Sequence, residues 1–202
     1  GPDNGCVIRI GADVADKGMP AALYMTVTRT LIRATAQGVQ SPAKVLERVN
    51  ELREAESRNG MFVTAFFAVL DPETGIVEYA NAGHNLPILV RSITKKLERL
   101  EKDGIALGVL KGAQYRDRKV TLENGDTLLL YTDGVTEAYS ADGELFSESR
   151  LAEALTNSSH SSAGELLTKI EGLIQEFRQG EPPSDDLTMI AVFRHGSSNS
   201  TE

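Results

Sequence analysis

Three aspartates stand where apolar runs give way to polar chain: Asp13 after 7–12, Asp133 after 128–132, and Asp185 just ahead of 188–193. Strand ends are rigid platforms, so side chains placed there can be aimed into one shared cleft. Carboxylates brought together repel and raise one another's pKa unless a cation neutralises them. A donor set of oxygens, with no Cys or His, selects Mg²⁺ or Mn²⁺ over zinc. The other reading is that each aspartate caps a turn or a helix. The pattern by itself leaves both open.

Composition narrows what such a centre would serve. The chain has 202 residues, enough for one sizeable domain and cramped for two. Hydrophobic residues make up 41% and charged residues 25%, as in an ordinary soluble globular protein. A formal net charge of −8 argues against nucleic acid or an anionic membrane as partner. Lys95-Lys96 and the run 116–119 are too short and interrupted to reverse that locally. Cys6, the one cysteine, has no internal disulfide partner and no Cys/His cluster around it. It reads as a structural thiol, with the cytoplasm as the default compartment. No apolar run is long enough to span a membrane, and no signal peptide is visible. Gly1-Pro2 matches a protease-cleavage remnant, so the natural chain is expected to extend upstream.

The elements that must position the aspartates follow from periodicity. Residues 7–12 form a strand-length apolar run, and a helix is predicted over 20–37, with Leu23, Val27 and Leu31 as its packing stripe. Ser41-Pro42 opens a second helix carrying Val45, Leu46, Val49 and Leu52. The segment 61–70 is apolar on both alternating faces, which predicts a strand covered on both. A turn at 71–75 returns the chain through a strand at 76–81, and 86–92 is a further strand. Asn124-Gly125 has hairpin chemistry and is expected to pair 114–123 with 126–132. Two late helices, 147–156 and 163–179, precede a last strand at 188–193. The second of them opens with Ser162 and Glu165 at capping-box spacing. His160 and His195, in a polar loop and near the terminus, are expected to be solvated. The fold class is α+β, two sheets with helices outside. A domain at 1–195 and a disordered tail at 196–202 are expected.

Asp13-Val-Ala-Asp-Lys-Gly-Met-Pro-Ala-Ala-Leu23 resembles the second metal motif of the SpoIIE/RsbU-like branch of the PPM (protein phosphatase 2C-like) serine/threonine phosphatases. Further matches come in order: Phe62-Val-Thr-Ala-Phe-Phe67, Asn81-Ala-Gly-His-Asn-Leu-Pro87, Gly104-Ile-Ala-Leu-Gly108, the run from Gly125 through Tyr131-Thr-Asp-Gly-Val-Thr-Glu137, and Asp185-Asp-Leu-Thr188. The resemblance implies a PPM-type β-sandwich of antiparallel sheets flanked by helix pairs (αββα). It makes Asp13 the ligand bridging two Mn²⁺ or Mg²⁺ ions, with the Val14 carbonyl on the second and Asp133 and Asp185 completing the first. Asp186 is the alternative to Asp185. Gly134 suits a close backbone passage, and Thr188 suits support of a ligating carboxylate. Water activated between two ions about 3.5–4 Å apart would attack phosphorus in line, with no phosphoenzyme.

The family's first metal motif, a Gly-Gly-Asp on an earlier strand pair, is absent. Either that pair lies upstream of Gly1 or the domain lacks it, and the second ion is expected to bind weakly. His84 stands where distant relatives place a metal-binding aspartate, and a loop-ordering hydrogen bond is its favoured role. Lys17, which with Asp16 replaces a Gly-His pair of other members, is either a phosphate-attracting cation or a surface lysine. The resemblance points to a phosphoserine/phosphothreonine protein phosphatase. Its expected substrate is a phosphorylated anti-sigma-factor antagonist in bacterial partner switching, and an upstream sensory or receiver domain is its expected neighbour. The rival is a catalytically weak binding domain of the same fold.

Overall fold

The computed structural model describes residues 9–14, 19–38, 41–54, 61–102, 104–183 and 185–196. In chain order the elements begin β1 (Arg9–Val14), α1 (Met19–Thr35), α2 (Pro42–Glu54), β2 (Val63–Leu70), β3 (Ile76–Ala82), β4 (Ile88–Val90) and β5 (Leu97–Arg99). They continue β6 (Arg118–Thr121), β7 (Thr127–Tyr131), α3 (Asp133–Thr136), α4 (Ser147–Asn157), α5 (Ala163–Arg178) and β8 (Met189–Phe193). Two compact units result. One is built from β1, α1, α2, β2, β3 and β6, the other from β4, β5, β7, β8 and α3 to α5.

The first unit is an antiparallel sheet in the order β1-β2-β3-β6 with a helix pair packed on it. Val63, Ala65 and Phe67 on one face of β2 join Ala80 and Ala82 of β3 against Tyr24 of α1 and Val45, Leu46 and Val49 of α2. On the opposite face Phe66 stacks on Tyr79 of β3, ring centroids 5.2 Å apart. Both faces of β2 are buried, as its doubly apolar pattern requires. Asp71 makes the β2–β3 turn, its Oδ1 accepting from the Glu73 amide (2.9 Å) and its Oδ2 from the Thr74 hydroxyl (2.7 Å). At the start of α2 the Ser41 hydroxyl caps the Lys44 amide (3.1 Å), and Asp117 Oδ1 accepts from the Ala43 amide (2.7 Å).

The packing stripe of α1 differs from the expected one. Leu31 is partly buried against the core as expected, but Leu23 is 61% and Val27 42% exposed, while Ala21, Tyr24, Thr28 and Ile32 are buried. The two stripes share a four-residue spacing and are offset by one position, about 100° around a helix. Tyr24 decides between them. Its hydroxyl donates to the Met61 carbonyl (2.9 Å), and the Arg53 guanidinium lies 3.5 Å over its ring. Thr28 tolerates burial because its hydroxyl donates to the Tyr24 carbonyl one turn back (2.8 Å).

The second unit repeats the plan with the antiparallel order β5-β4-β7-β8. Ile88, Val90, Leu129 and Tyr131 pack with Leu151 and Leu155 of α4 and Leu166, Ile170 and Ile174 of α5. The Ser162 hydroxyl caps the Glu165 amide (3.2 Å), as its spacing predicts. The reciprocal bond is shifted by one residue: Glu165 Oε2 accepts from the amide of Ser161 (2.9 Å). Two short elements escaped the periodicity reading. β5 has only one apolar residue in three, and α3 is a single turn.

Asn124-Gly125 is a turn but closes no hairpin. β6 pairs with β3, whereas β7 pairs with β4 and β8, so the turn passes the chain from one sheet to the other. Asp126 explains the divergence. Nearly fully buried, it accepts from the Glu123 amide (2.9 Å) on its own turn, and from the Ser92 amide and the Arg91 guanidinium (2.8 Å each) beyond β4. The Gly125 amide meanwhile donates to the Arg194 carbonyl (2.7 Å). His160 is also not simply solvated. Its Nε2 lies 2.8 Å from the Thr127 hydroxyl, its ring packs edge-on to Phe193, and burial lowers its pKa below the usual imidazole value. His195 is exposed. Cys6 and residues 197–202 of the expected tail lie outside the described residues.

Candidate functional site

The best-defined part of the site lies where β7 ends. Its five residues are all buried, and the ladder with β8 runs to the pair Tyr131–Met189. One step further, the Thr132 amide donates to the Thr188 carbonyl (3.1 Å), and the Thr188 amide donates to the Thr132 hydroxyl oxygen (3.1 Å). The same hydroxyl donates to the Asp186 carbonyl (3.1 Å). Asp133 then opens α3, and Gly134 beside it is buried. A Cβ on Gly134 would overlap the carbonyl oxygen of Asp186, so only glycine lets the two backbones approach this closely.

This knot brings Asp133 and the Asp185-Asp186 pair together from segments some fifty residues apart in the chain. Each of the first two carboxylates is oriented by the following amide: Gly134 N–H to Asp133 Oδ1 and Asp186 N–H to Asp185 Oδ1, both 2.9 Å. Asp133 is half-buried, while Asp185 and Asp186 are exposed. Among the described residues no Lys or Arg pairs with Asp133. Hard oxygen donors from Asp133 and the 185–186 segment are of the kind that suits a divalent ion. Thr188 takes part through its backbone, and its own side chain is exposed.

The remaining expected residues lie in the first unit. Asp13 and Val14 are the last two residues of β1, opposite Thr64 and Val63 of β2. His84 is buried and held from both sides by Asn81: its amide donates to Asn81 Oδ1 (2.8 Å), and Asn81 Nδ2 donates to its carbonyl (3.1 Å). Its ring Nδ1 lies 3.1 Å from the Thr64 hydroxyl. Thr64 is thus both the cross-strand partner of Asp13 and the hydrogen-bond partner of His84. Lys17 lies outside the described residues. Among the described residues no three His, Cys, Asp or Glu side chains cluster as a complete ligand set. Sequence reasoning missed Thr132, Thr64 and Asn81 as organisers. All three sit inside the matched motifs, but threonine in a strand reads first as a β-former.

The family model of Stage II sporulation protein E (SpoIIE) matches residues 3–195. The chain is 31% identical to protein IcfG of Synechocystis sp. (strain ATCC 27184 / PCC 6803 / Kazusa) over 220 aligned residues, covering 96% of this chain and 34% of that protein. It is 30% identical to phosphoserine phosphatase RsbU of Bacillus subtilis (strain 168) over 183 residues, covering 91% of this chain and 54% of the relative. The chain therefore spans from about a third to about half the length of these relatives. Among solved structures, the SiaA-PP2C domain of Pseudomonas aeruginosa superposes with a TM-score of 0.80 at 21% identity, covering 96% of this chain and 81% of that one. RsbX, solved in complex with magnesium, superposes with a TM-score of 0.66 at 19% identity, covering 95% and 82%. These likenesses show the PP2C fold in an α+β chain with two antiparallel sheets, each bearing its own helix pair. With the family model matching nearly the whole chain and relatives named as phosphoserine phosphatases, this chain belongs to the SpoIIE family of PPM-type serine/threonine phosphatases.

Proposed function

We propose that this chain hydrolyses phosphoserine or phosphothreonine in a phosphorylated regulatory protein, using divalent cations held by Asp13, Asp133 and Asp185. The observation that carries this reading is the Thr132–Gly134 knot, which gathers Asp133 and Asp185 from distant segments. Asp13, the Val14 carbonyl and the two later aspartates would hold Mn²⁺ or Mg²⁺. Asp186 is the alternative in the last position. Such an ion supplies water acidic enough to ionise near neutral pH and positive charge to offset that of the phosphoryl group. The protein's own share is positioning. Gly134 admits the 185–186 backbone, the β7–β8 ladder fixes its height, and Asn81 fixes the loop bearing His84 beside Thr64.

The substrate in this reading is a phosphorylated anti-sigma-factor antagonist. It is supported by the kinship to RsbU and by an acidic chain poorly suited to nucleic acid. The phosphatase domain is residues 1–195, with 196–202 as a tail, and the longer relatives leave room for a sensory or receiver domain. No helix among the described residues is long and apolar enough to cross a membrane. A second reading is a catalytically weak domain of the same fold that binds its partner with little turnover. Phosphate release from a phosphoseryl protein in Mn²⁺ separates the two. Turnover that Asp133→Asn abolishes supports the enzyme, and partner binding without turnover supports the binding domain.

A further inference from the structure

We infer that the Thr132 hydroxyl is the positioning group that sets the spacing between Asp133 and Asp185, and through it the grip on a divalent cation. The link to cation binding rests on the function proposed above; the geometry does not. Beyond Tyr131–Met189, where the β7–β8 ladder ends, segment 185–188 is tied to Thr132, whose amide donates to the Thr188 carbonyl (3.1 Å). The Thr132 hydroxyl receives the Thr188 amide and donates to the Asp186 carbonyl, 3.1 Å each, so donor and acceptor are both engaged. Thr132 is 8% exposed, which leaves water little access to replace either bond. A fully engaged, buried hydroxyl is a poor nucleophile, which excludes direct participation in the reaction.

The hydroxyl meets the loop one residue after Asp185, and Thr132 itself is one residue before Asp133. Removing it loses the bonds to the Asp186 carbonyl and the Thr188 amide and leaves only the Thr132 amide on the Thr188 carbonyl, so the two carboxylates gain freedom relative to one another while the strand persists. Valine keeps the β-branched shape and strand preference of threonine, and serine keeps the hydroxyl.

The test compares wild type, Thr132→Val, Thr132→Ser and Asp133→Asn in the full chain. It measures Mn²⁺ affinity by calorimetry and amide hydrogen exchange of 186–188 in metal-free protein. Thr132→Val should exchange faster there and bind Mn²⁺ ~10–100-fold more weakly, the usual range for lost support around a ligand. Thr132→Ser should restore both, and excess Mn²⁺ should recover turnover in Thr132→Val more than in Asp133→Asn. Should Thr132→Val be too unstable to titrate, the serine variant decides: loss of Mn²⁺ affinity in a folded Thr132→Ser protein overturns the inference. Wild-type affinity in Thr132→Val alongside loss in Asp133→Asn also overturns it, leaving the phosphatase reading intact. A wild-type protein that binds no Mn²⁺ overturns both.

Discussion

Gly134 shows how much of the site depends on single atoms. Its missing Cβ is what lets the Asp186 carbonyl lie against the start of α3. Gly134→Ala must push the 185–186 backbone away, and a displacement of about 1 Å in a positioned group can cost about 10²-fold in rate. Phosphate release by Gly134→Ala should therefore fall by roughly two orders of magnitude, with far-ultraviolet circular dichroism unchanged; near-wild-type turnover would show that the contact does not matter. The aspartates were legible as candidates at the ends of apolar runs, where turn and helix capping is an equally ordinary role, and the matched motifs singled out both them and this glycine. Thr132, Thr64 and Asn81 were not legible, since their work is done by hydrogen bonds to residues twenty or more positions away, or to the backbone of a loop. Nothing in local composition encodes such partners.

At the scale of elements, most helices and strands were readable from periodicity and caps, and α1 shows the limit. Spacing says that a stripe exists, and only tertiary partners say which of two neighbouring stripes it is. Ile32→Ala should cost about 2–5 kcal/mol as a buried truncation, whereas Leu23→Ala, on the exposed stripe, should stay within about 0.5 kcal/mol. Chemical denaturation of the two variants checks this, and the reverse ranking would contradict the packing.

The start of α5 carries a pH signature. The Ser161 amide, then the Lys169 ammonium and the Ser161 hydroxyl, hold Glu165 down to about 2 from its usual 4.5. A depressed carboxylate stabilises the fold fully above its unfolded value and loses that contribution as pH falls through the folded one. The melting-temperature deficit of Glu165→Gln should thus be present above pH 5 and shrink between about 4.5 and 2. A deficit independent of pH would mean that charge at Glu165 is not what matters. The Asn124-Gly125 turn failed as a hairpin for a different reason. Its dipeptide specifies the bend, but the buried Asp126 chooses the partners.

For the whole molecule, the two units each build a sheet with its own helix pair. Doubly apolar strands made the layered α+β architecture legible, because a strand buried on both faces needs cover on both. The handover between sheets was not, since strand order depends on long-range pairing that short-range pattern does not record.

The proposed function requires that Asp13 and Asp133, distant in the chain, serve one ion-dependent reaction. Its most direct test is initial-rate phosphate release from a phosphoseryl protein in Mn²⁺ and in chelator, for wild type, Asp13→Asn and Asp133→Asn. Wild type should release phosphate in Mn²⁺ alone, with each substitution abolishing release as completely as the chelator does. Release that persists in chelator, or that survives either substitution, would contradict it.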